Sequence, residues 1–495
     1  HDIGDYLTRE QKLKMVKEFR SIASHKLDWQ IIIPNDKADW INQRDGVFDS
    51  LIPLSDKNKD NKNVIFHGFT RGIVTSRDAW CYNCSQQILE ENTIRSIDFY
   101  NNEVERFLKA KDENHNLVAK DFINYDSTKF AWDRAQKERD VSKGKHYKFE
   151  KSSIRLSLYR PFCKQHCYFN RSLNNCVYQI PQLFPTSEHD NLVICVRGIG
   201  GNKDFSVLIA SIIIDYNSFE AGVQCFPLYW YEENKNPQAT LFDDAETNRY
   251  IRRDGITDWI LKEVRSRFGG TKAISKEHIF YYVYGLLHSP QYRERFADDL
   301  KKSLPRIPIV DNVQDFMAFY KAGKELADLH LNYEQGINEQ MTGQDGDYQF
   351  YASMPMFAYR FFGVKVAGDI DIWQGEWTEE TYQHFAVEKM RFAKVRDENG
   401  KLVADKSKII YNGHITIENI PPQAYDYIVN GKSAIEWIME RYAVTIDKAS
   451  LIKNDPNDWS REHNQPRYIL DLLLSVIMLS CKTVEIISEL PKLKL

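Results

Sequence analysis

No stretch of this sequence stays apolar for the ~20 residues that a helical membrane span needs. The longest candidate, Ile469 to Leu479, is interrupted by Asp471 and Ser475, so no membrane partner is expected. An initiator methionine and a signal peptide are also missing: the chain starts at His1, as a processed chain or a piece of a longer one would. Without a secretory segment, a soluble chain in the cytoplasm is the expectation, and the eight cysteines are expected as reduced thiols. Charge of one sign is lacking too. A net charge of -4 excludes a wholly basic polyanion binder, so a nucleic-acid surface would have to be a local patch. The chain has no GxxxxGK[ST] phosphate loop, no [DNS]PP[YFW] tetrapeptide of an amino-methyltransferase, no HExxH and no PD…(D/E)xK signature. No motif places a nucleophile beside a base, and no internal repeat or low-complexity tract occurs.

What is present is long, aromatic and patterned. At 495 residues, two or three units are expected, and aromatic residues make up 13% of the chain. The most ordered stretch is Ser275 to Pro308. Ile279, Tyr282, Val283, Leu286 and Leu287 form one apolar helical stripe, Ser275 can cap it, and Pro290 opens a second helix carrying Tyr292, Phe296 and Leu300. Pro305-Arg306-Ile307-Pro308 stops that helix, and the pair is expected to join two differently built regions, with Arg306 in a packing or salt-bridge role. Before it, VIFHGF, IRLSLY, CYFN, NLVICVRG, FSVLIA and VQCFPLYWY predict strands, interrupted by helices near 91–111 and 128–139. After it, strands return beyond Gly343, and 390–417 alternates like a meander with turns at Glu398-Asn399-Gly400 and Asn412-Gly413. Helices are predicted from Pro422, over 433–442 and over 468–490. At the other end, Thr8 and Gln11 have capping-box spacing, and Asp56 to Lys62 reads as a flexible boundary. The fold class is α+β: a strand-rich unit with long loops over 63–256, a helical segment over 257–340, and a C-terminal meander plus helices over 341–495.

Two motifs invite chemistry and have plainer readings. Cys81-x-x-Cys84 and Cys163/Cys167 offer four thiolates for zinc, but the second pair has the wrong interval, which favours buried free cysteines and no metal. Gly198-Ile199-Gly200-Gly201 follows a strand but leads into another strand, so it reads as a tight hairpin and not as a phosphate loop. Asp455-Pro456-Asn457-Asp458 reads as a turn. The polar loops of the strand-rich unit carry the residue types that grip phosphates and read base edges, although each alone is more often a solvated group.

Several long strings resemble one family. They are HDIGDYLTREQKL at 1–13, WINQR at 40–44, GIVTSRDAW at 72–80, SLYRPF at 157–162, QCFPLYWYEE at 224–233, YVYGLLHSPQYRERF at 282–296 with LPRIP after it, and YIVNGKSAIEWIMERY at 427–442 with NDPNDW. The chain is similar to the C-terminal part of type ISP restriction-modification enzymes. That resemblance implies a target recognition domain, with residues 1–62 as the tail of a methyltransferase and its connector. It implies that double-stranded DNA and the upstream methyltransferase and motor domains of the same polypeptide are the partners. It places adenine-N6 methylation, ATP-driven translocation and cleavage upstream, with S-adenosylmethionine, ATP and Mg used by the full-length enzyme and no cofactor or catalytic residue expected in this piece. The residues expected near DNA are Arg71, Thr75, Arg77, Arg160, Lys164, Arg171, Asn174, Asn175, Asn202 and Lys203. The rival expectation is a scaffold that docks methyltransferase to motor while DNA is read elsewhere.

Overall fold

The computed structural model describes residues 8–19, 21, 30–41, 43–58, 60–234, 249–334, 362–370 and 378–494. Residues 1–7 and 42, within the strings above, lie outside this set, as does the start of the strands expected after Gly343.

The strand-rich part is built from two four-stranded sheets. In the first, Thr70–Arg71 pairs with β5 (Gln224–Pro227), β5 with β3 (Val193–Val196), and β3 with β4 (Val207–Ala210), all antiparallel. Every residue of β3, β4 and β5 is buried, which matches their unbroken apolar runs. The second sheet orders Tyr82–Asn83, β2 (Cys163–Tyr168), β1 (Ile154–Arg160) and Ile213–Ile214, the last pair being parallel. Helix α1 (Gln86–Glu113), capped by the Ser85 hydroxyl, packs against β2. The glycine-bearing loop joins β3 and β4 as an antiparallel hairpin, but over residues 197–206 and not by a tight turn. Between these sheets and the C-terminal end, β5 runs through Leu228 into β6 (Tyr229–Glu233), which pairs with β7 (Tyr250–Asp254). Gly255 closes that hairpin against the root of β6. A Cβ there would meet the Pro227 carbonyl at 1.9 Å, so only glycine allows the return.

Two expected elements differ. The 64–69 run is buried at Val64, Ile65 and Phe66 but exposed at His67, and it belongs to no sheet: Ile65, Phe66 and His67 donate to Pro53, Leu54 and Gly255, partners on different segments. The 128–139 helix reduces to one π-turn, Gln136–Asp140. Asp126 holds the Thr128 amide and hydroxyl in a turn, and Phe130 and Trp132 pack on Tyr100 instead of following a helical face.

The stretch 275–308 forms α3 (Lys276–Leu286), capped by Ser275 with His278 in a capping box, and two short helices, Pro290–Arg295 and Ala297–Lys302, that break at Phe296. Arg306 and Ile307 pair with Ile52 and Pro53, and the Arg306 guanidinium donates to the Asp49 and Leu51 carbonyls, a packing role. Helix α4 (Val313–Leu331) crosses α3 at backbone contact, since a Cβ on Gly285 would meet Phe319 O at 2.2 Å and one on Gly323 would meet Tyr281 O at 1.9 Å. Such a crossing is a tight seam.

The C-terminal part has the expected meander. β8 (Lys365–Ala367), β9 (Arg391–Arg396), β10 (Leu402–Ile410) and β11 (Thr416–Glu418) form an antiparallel sheet in the order β8-β11-β10-β9. Helix α5 (Ala434–Arg441) starts at a Ser433–Glu436 capping box. Asp455 caps a helix, Pro456–Glu462, where a turn was expected. Helix α6 (Tyr468–Ser488), buried on most sides, packs on α4 and α5. The buried side chains form one continuous cluster from Phe48 to Ile486.

Candidate nucleic-acid interface

The ten residues expected near DNA separate into three groups. Four are turned into the fold. Thr75 bonds Asp78, whose carboxylate also accepts from Tyr159 at 3.2 Å and Arg160 at 3.4 Å. Arg160 donates to the buried Asp215 at 2.8 Å, and the Tyr82 hydroxyl donates to the same carboxylate at 3.1 Å. Arg77 is buried, paired with Asp133 at 2.9 Å and stacked over Phe130. Asn174 donates to Tyr168 O and accepts from the Asn170 amide. These four shape the loops from inside and offer DNA no face, because a buried charge removed from its partner is costly. Lys164 is half-buried, paired with Glu334 at 3.0 Å and lying over the Tyr333 ring. Lys203 donates to Asn430 O at 3.0 Å, and its loop is tied to Lys301 O through the Gly200 amide, so exposed Asn202 and half-buried Lys203 sit apart from the others.

The remaining three, Arg71, Arg171 and Asn175, are exposed on one side of the strand-rich part. Arg71 lies over Tyr178, whose positive φ of 45° holds its ring outward. Beside Tyr178 the chain winds into the single turn α2 (Ile180–Leu183). Pro181 of this turn lines one hollow, together with Arg155, Asn170, Arg171 and Thr186; Gln179 and Gln182, three residues apart and so on one face, line another. The second hollow is the larger, about 790 Å³, and its far wall is the β6–β7 hairpin.

Strand alternation sorts that hairpin into two faces. Tyr231 is buried, and His189 packs edge-on against Tyr231 and Tyr250 while Arg252 covers Tyr229, fixing the hairpin to the body. Trp230, Glu232 and Arg253 line the open cleft with Gln179, Gln182, His67 and Lys57. Two of the cations here are engaged: Arg253 pairs with Glu232 at 3.2 Å, and Lys276 with Asp254 at 2.8 Å and Asp258 at 2.7 Å. Burial works against the Lys276 charge, but the two carboxylates outweigh it and raise its pKa. Burial, with the Lys276 charge, lowers the pKa of His67. A cleft of amides, an indole and exchangeable ion pairs suits base-edge contacts by glutamine and arginine and stacking by tryptophan.

Gln179, Gln182, Trp230, Arg252 and Arg253 were absent from the sequence-based set. YIRRD at 250–254 does not alternate apolar with polar, so it was not recognised as the hairpin partner of the strand rich in Tyr and Trp before it. The cysteines are free: Cys81, Cys84, Cys163 and Cys167 are buried, and burial pushes the thiols of Cys81 and Cys163 up to about 12.

The model of one family, the Type ISP C-terminal specificity domain, matches residues 64–472. Three solved structures are similar over essentially the whole chain. A nuclease-deletion mutant of the Type ISP restriction-modification enzyme LlaGI, in complex with a DNA substrate mimic, is 35% identical with a TM-score of 0.75 over 99% of this chain. The ATP-dependent Type ISP enzyme LlaBIII bound to DNA is 34% identical with a TM-score of 0.75 over 100%, and a DrdV–DNA complex is 28% identical with a TM-score of 0.72 over 100%. This chain spans only 39%, 27% and 43% of those three chains. No curated protein matches it.

Proposed function

The chain belongs to the family of Type ISP C-terminal specificity domains, and from that premise we propose that it recognises a DNA target sequence through the cleft between α2 and the β6–β7 hairpin. The observation that carries this assignment is the convergence of Gln179, Gln182, Trp230 and Arg253 on one open hollow, flanked by exposed Arg71, Arg171 and Asn175, in a chain whose solved relatives are held on DNA. Gln179 and Gln182 supply the paired donor and acceptor that an adenine edge needs, and Arg253 the fork that a guanine edge needs. Phosphate contacts from Arg71 and Arg171 set the register without reading sequence.

In the longer enzyme, this module presents duplex DNA for adenine-N6 methylation and licenses ATP-driven translocation and cleavage by domains that precede it. S-adenosylmethionine, ATP and Mg belong to those domains, and among the described residues no group of three or more His, Cys, Asp or Glu is arranged to hold a metal ion. An exposed apolar set before the first sheet, with Ile31 at 87%, Ile33 at 75% and Trp40 at 61% exposure, fits a contact with the preceding part of such a polypeptide.

The test starts from the full-length enzyme, whose methylated positions in cells, once sequenced, define the target. Gln179→Ala with Gln182→Ala then weakens binding to the target duplex by roughly 1–3 kcal/mol for each lost bidentate contact, with little change for a random duplex. Equal loss on both duplexes rules out base reading by this cleft.

A further inference from the structure

We propose that the β9–β10 ribbon is a second contact on duplex DNA, one that grips the phosphate backbone and reads no bases; this rests on the target-recognition reading above. β10 pairs with β11 only at Ile409 and Ile410, whereas β9 and β10 continue to pair from Ala393–Asp405 out to Arg396–Leu402. The outer half is therefore a two-stranded ribbon standing beyond its sheet. At its root the register slips between Phe392 and Ala393, leaving Lys406 to Lys408 unmatched, and a bulge of this kind bends and twists a ribbon away from the sheet plane.

Charge divides along the ribbon. Between residues 391 and 408 there are six Lys and Arg against three Asp and Glu. At the root Lys406 and Lys408 are engaged: Lys406 pairs with Glu436 at 3.3 Å and covers Phe392 and Tyr425, and Lys408 pairs with Glu418 at 2.7 Å. Farther out, two acids turn inward. Asp397 closes the tip by accepting from the Asn399 and Lys401 amides around Gly400, at φ +74°, and Asp405 accepts from the Ser407 amide and hydroxyl. Lys394, Arg396 and Lys401 remain exposed with no ion pair among the described residues; Arg396 gives one N–H to Gly400 O. Lys394 and Arg396 lie on one face about 7 Å apart, the scale of neighbouring phosphates on one strand. Their cross-strand neighbours are Ala404 and Leu402, which add no competing charge. Unpaired, solvated cations on a narrow ribbon bind phosphate by releasing counterions, a contact that is the same whatever the base sequence.

The experiment measures duplex binding by the full-length enzyme across a salt series. A Lys394→Ala, Arg396→Ala, Lys401→Ala variant is compared with Lys406→Ala at the paired root. The expected result is a salt slope shallower by roughly two to three for the triple variant, equal loss on target and random duplexes, and no change for Lys406→Ala. A triple variant with the wild-type slope and affinity overturns the inference, as does one that only loses solubility, since edge lysines also guard open strands against aggregation. A wild-type enzyme that binds target and random duplexes equally sinks the target-recognition reading instead, while the slope still decides the ribbon.

Discussion

The β6–β7 and β9–β10 hairpins are built from the same motif and treat charge in opposite ways. On β6–β7, Arg253 and Arg249 face Glu232 and Glu233 across the strands, Arg252 is spent on a tyrosine ring, and the open face is aromatic. On the outer half of β9–β10, Lys394, Arg396 and Lys401 have no acid partner among the described residues, and the face between them is small and plain. Paired charge lowers the affinity of a surface for any polyanion and lets shape and hydrogen bonding decide; unpaired charge does the reverse. One protein thus carries a discriminating hairpin and an adhesive one.

The comparison can be broken from below, at the network that holds the first hairpin's side of the molecule. Arg160→Ala leaves Asp215 buried without its cation and should cost about 3–5 kcal/mol of stability, measured by denaturant unfolding; loss of DNA binding with full stability would return Arg160 to the interface. Next in size is acid. Three neutral histidines are buried, two of them where the two sides meet: His166 against Trp459, and His330 between Tyr284 and Thr483. Burial lowers His166 from 6.5 to about 4, and burial also lowers His330 and, in α3's C-terminal turn, His288. A histidine whose pKa is lower folded than unfolded stabilises the fold above the unfolded value, so stability should fall as pH drops from about 6.5 toward 4. For His166 the loss is on the order of 3 kcal/mol, read as the difference between wild type and His166→Asn in thermal melts at pH 7.5 and 5, because protonation of Asp215, whose pKa burial raises to about 7, shifts stability the opposite way; a difference that does not change with pH contradicts neutral burial. The smallest effect sharpens the contrast directly. Glu232→Gln releases Arg253, which should steepen the salt slope by roughly one and shift stability by less than about 1 kcal/mol, so that the cleft acquires some of the ribbon's indifference to sequence.

Much of this fold was legible because its signals are local. Ser275, Ser433 and Thr8 cap the helices their spacing announced, and the meander follows from alternation and two turn dipeptides. What was not legible is tertiary. Arg77 is turned from solvent by Asp133, an acid fifty-six residues away, and no period in the chain records that pairing. Residues 64–69 begin with the apolar run of a strand, yet their amide partners lie on separate segments. Arginine and asparagine on loops were therefore visible as types but not as sides: three of the ten reach the strip beside the cleft, and the glutamines and tryptophan opposite them gave no signal stronger than that of any polar turn or apolar strand.

The passage of β5 through Leu228 into β6 has a practical consequence. One unbroken length of backbone is core at its start and probe at its end, with Gly255 clamping the return leg to the same root. The cleft-facing residues of the hairpin, Trp230, Glu232 and Arg253, work like an interchangeable bit in a fixed chuck: they can be rewritten while their position and aim are inherited from the sheet. On the proposed reading, changing what this molecule recognises then becomes a matter of rewriting that face together with Gln179 and Gln182 opposite it, with the rest of the chain as the handle.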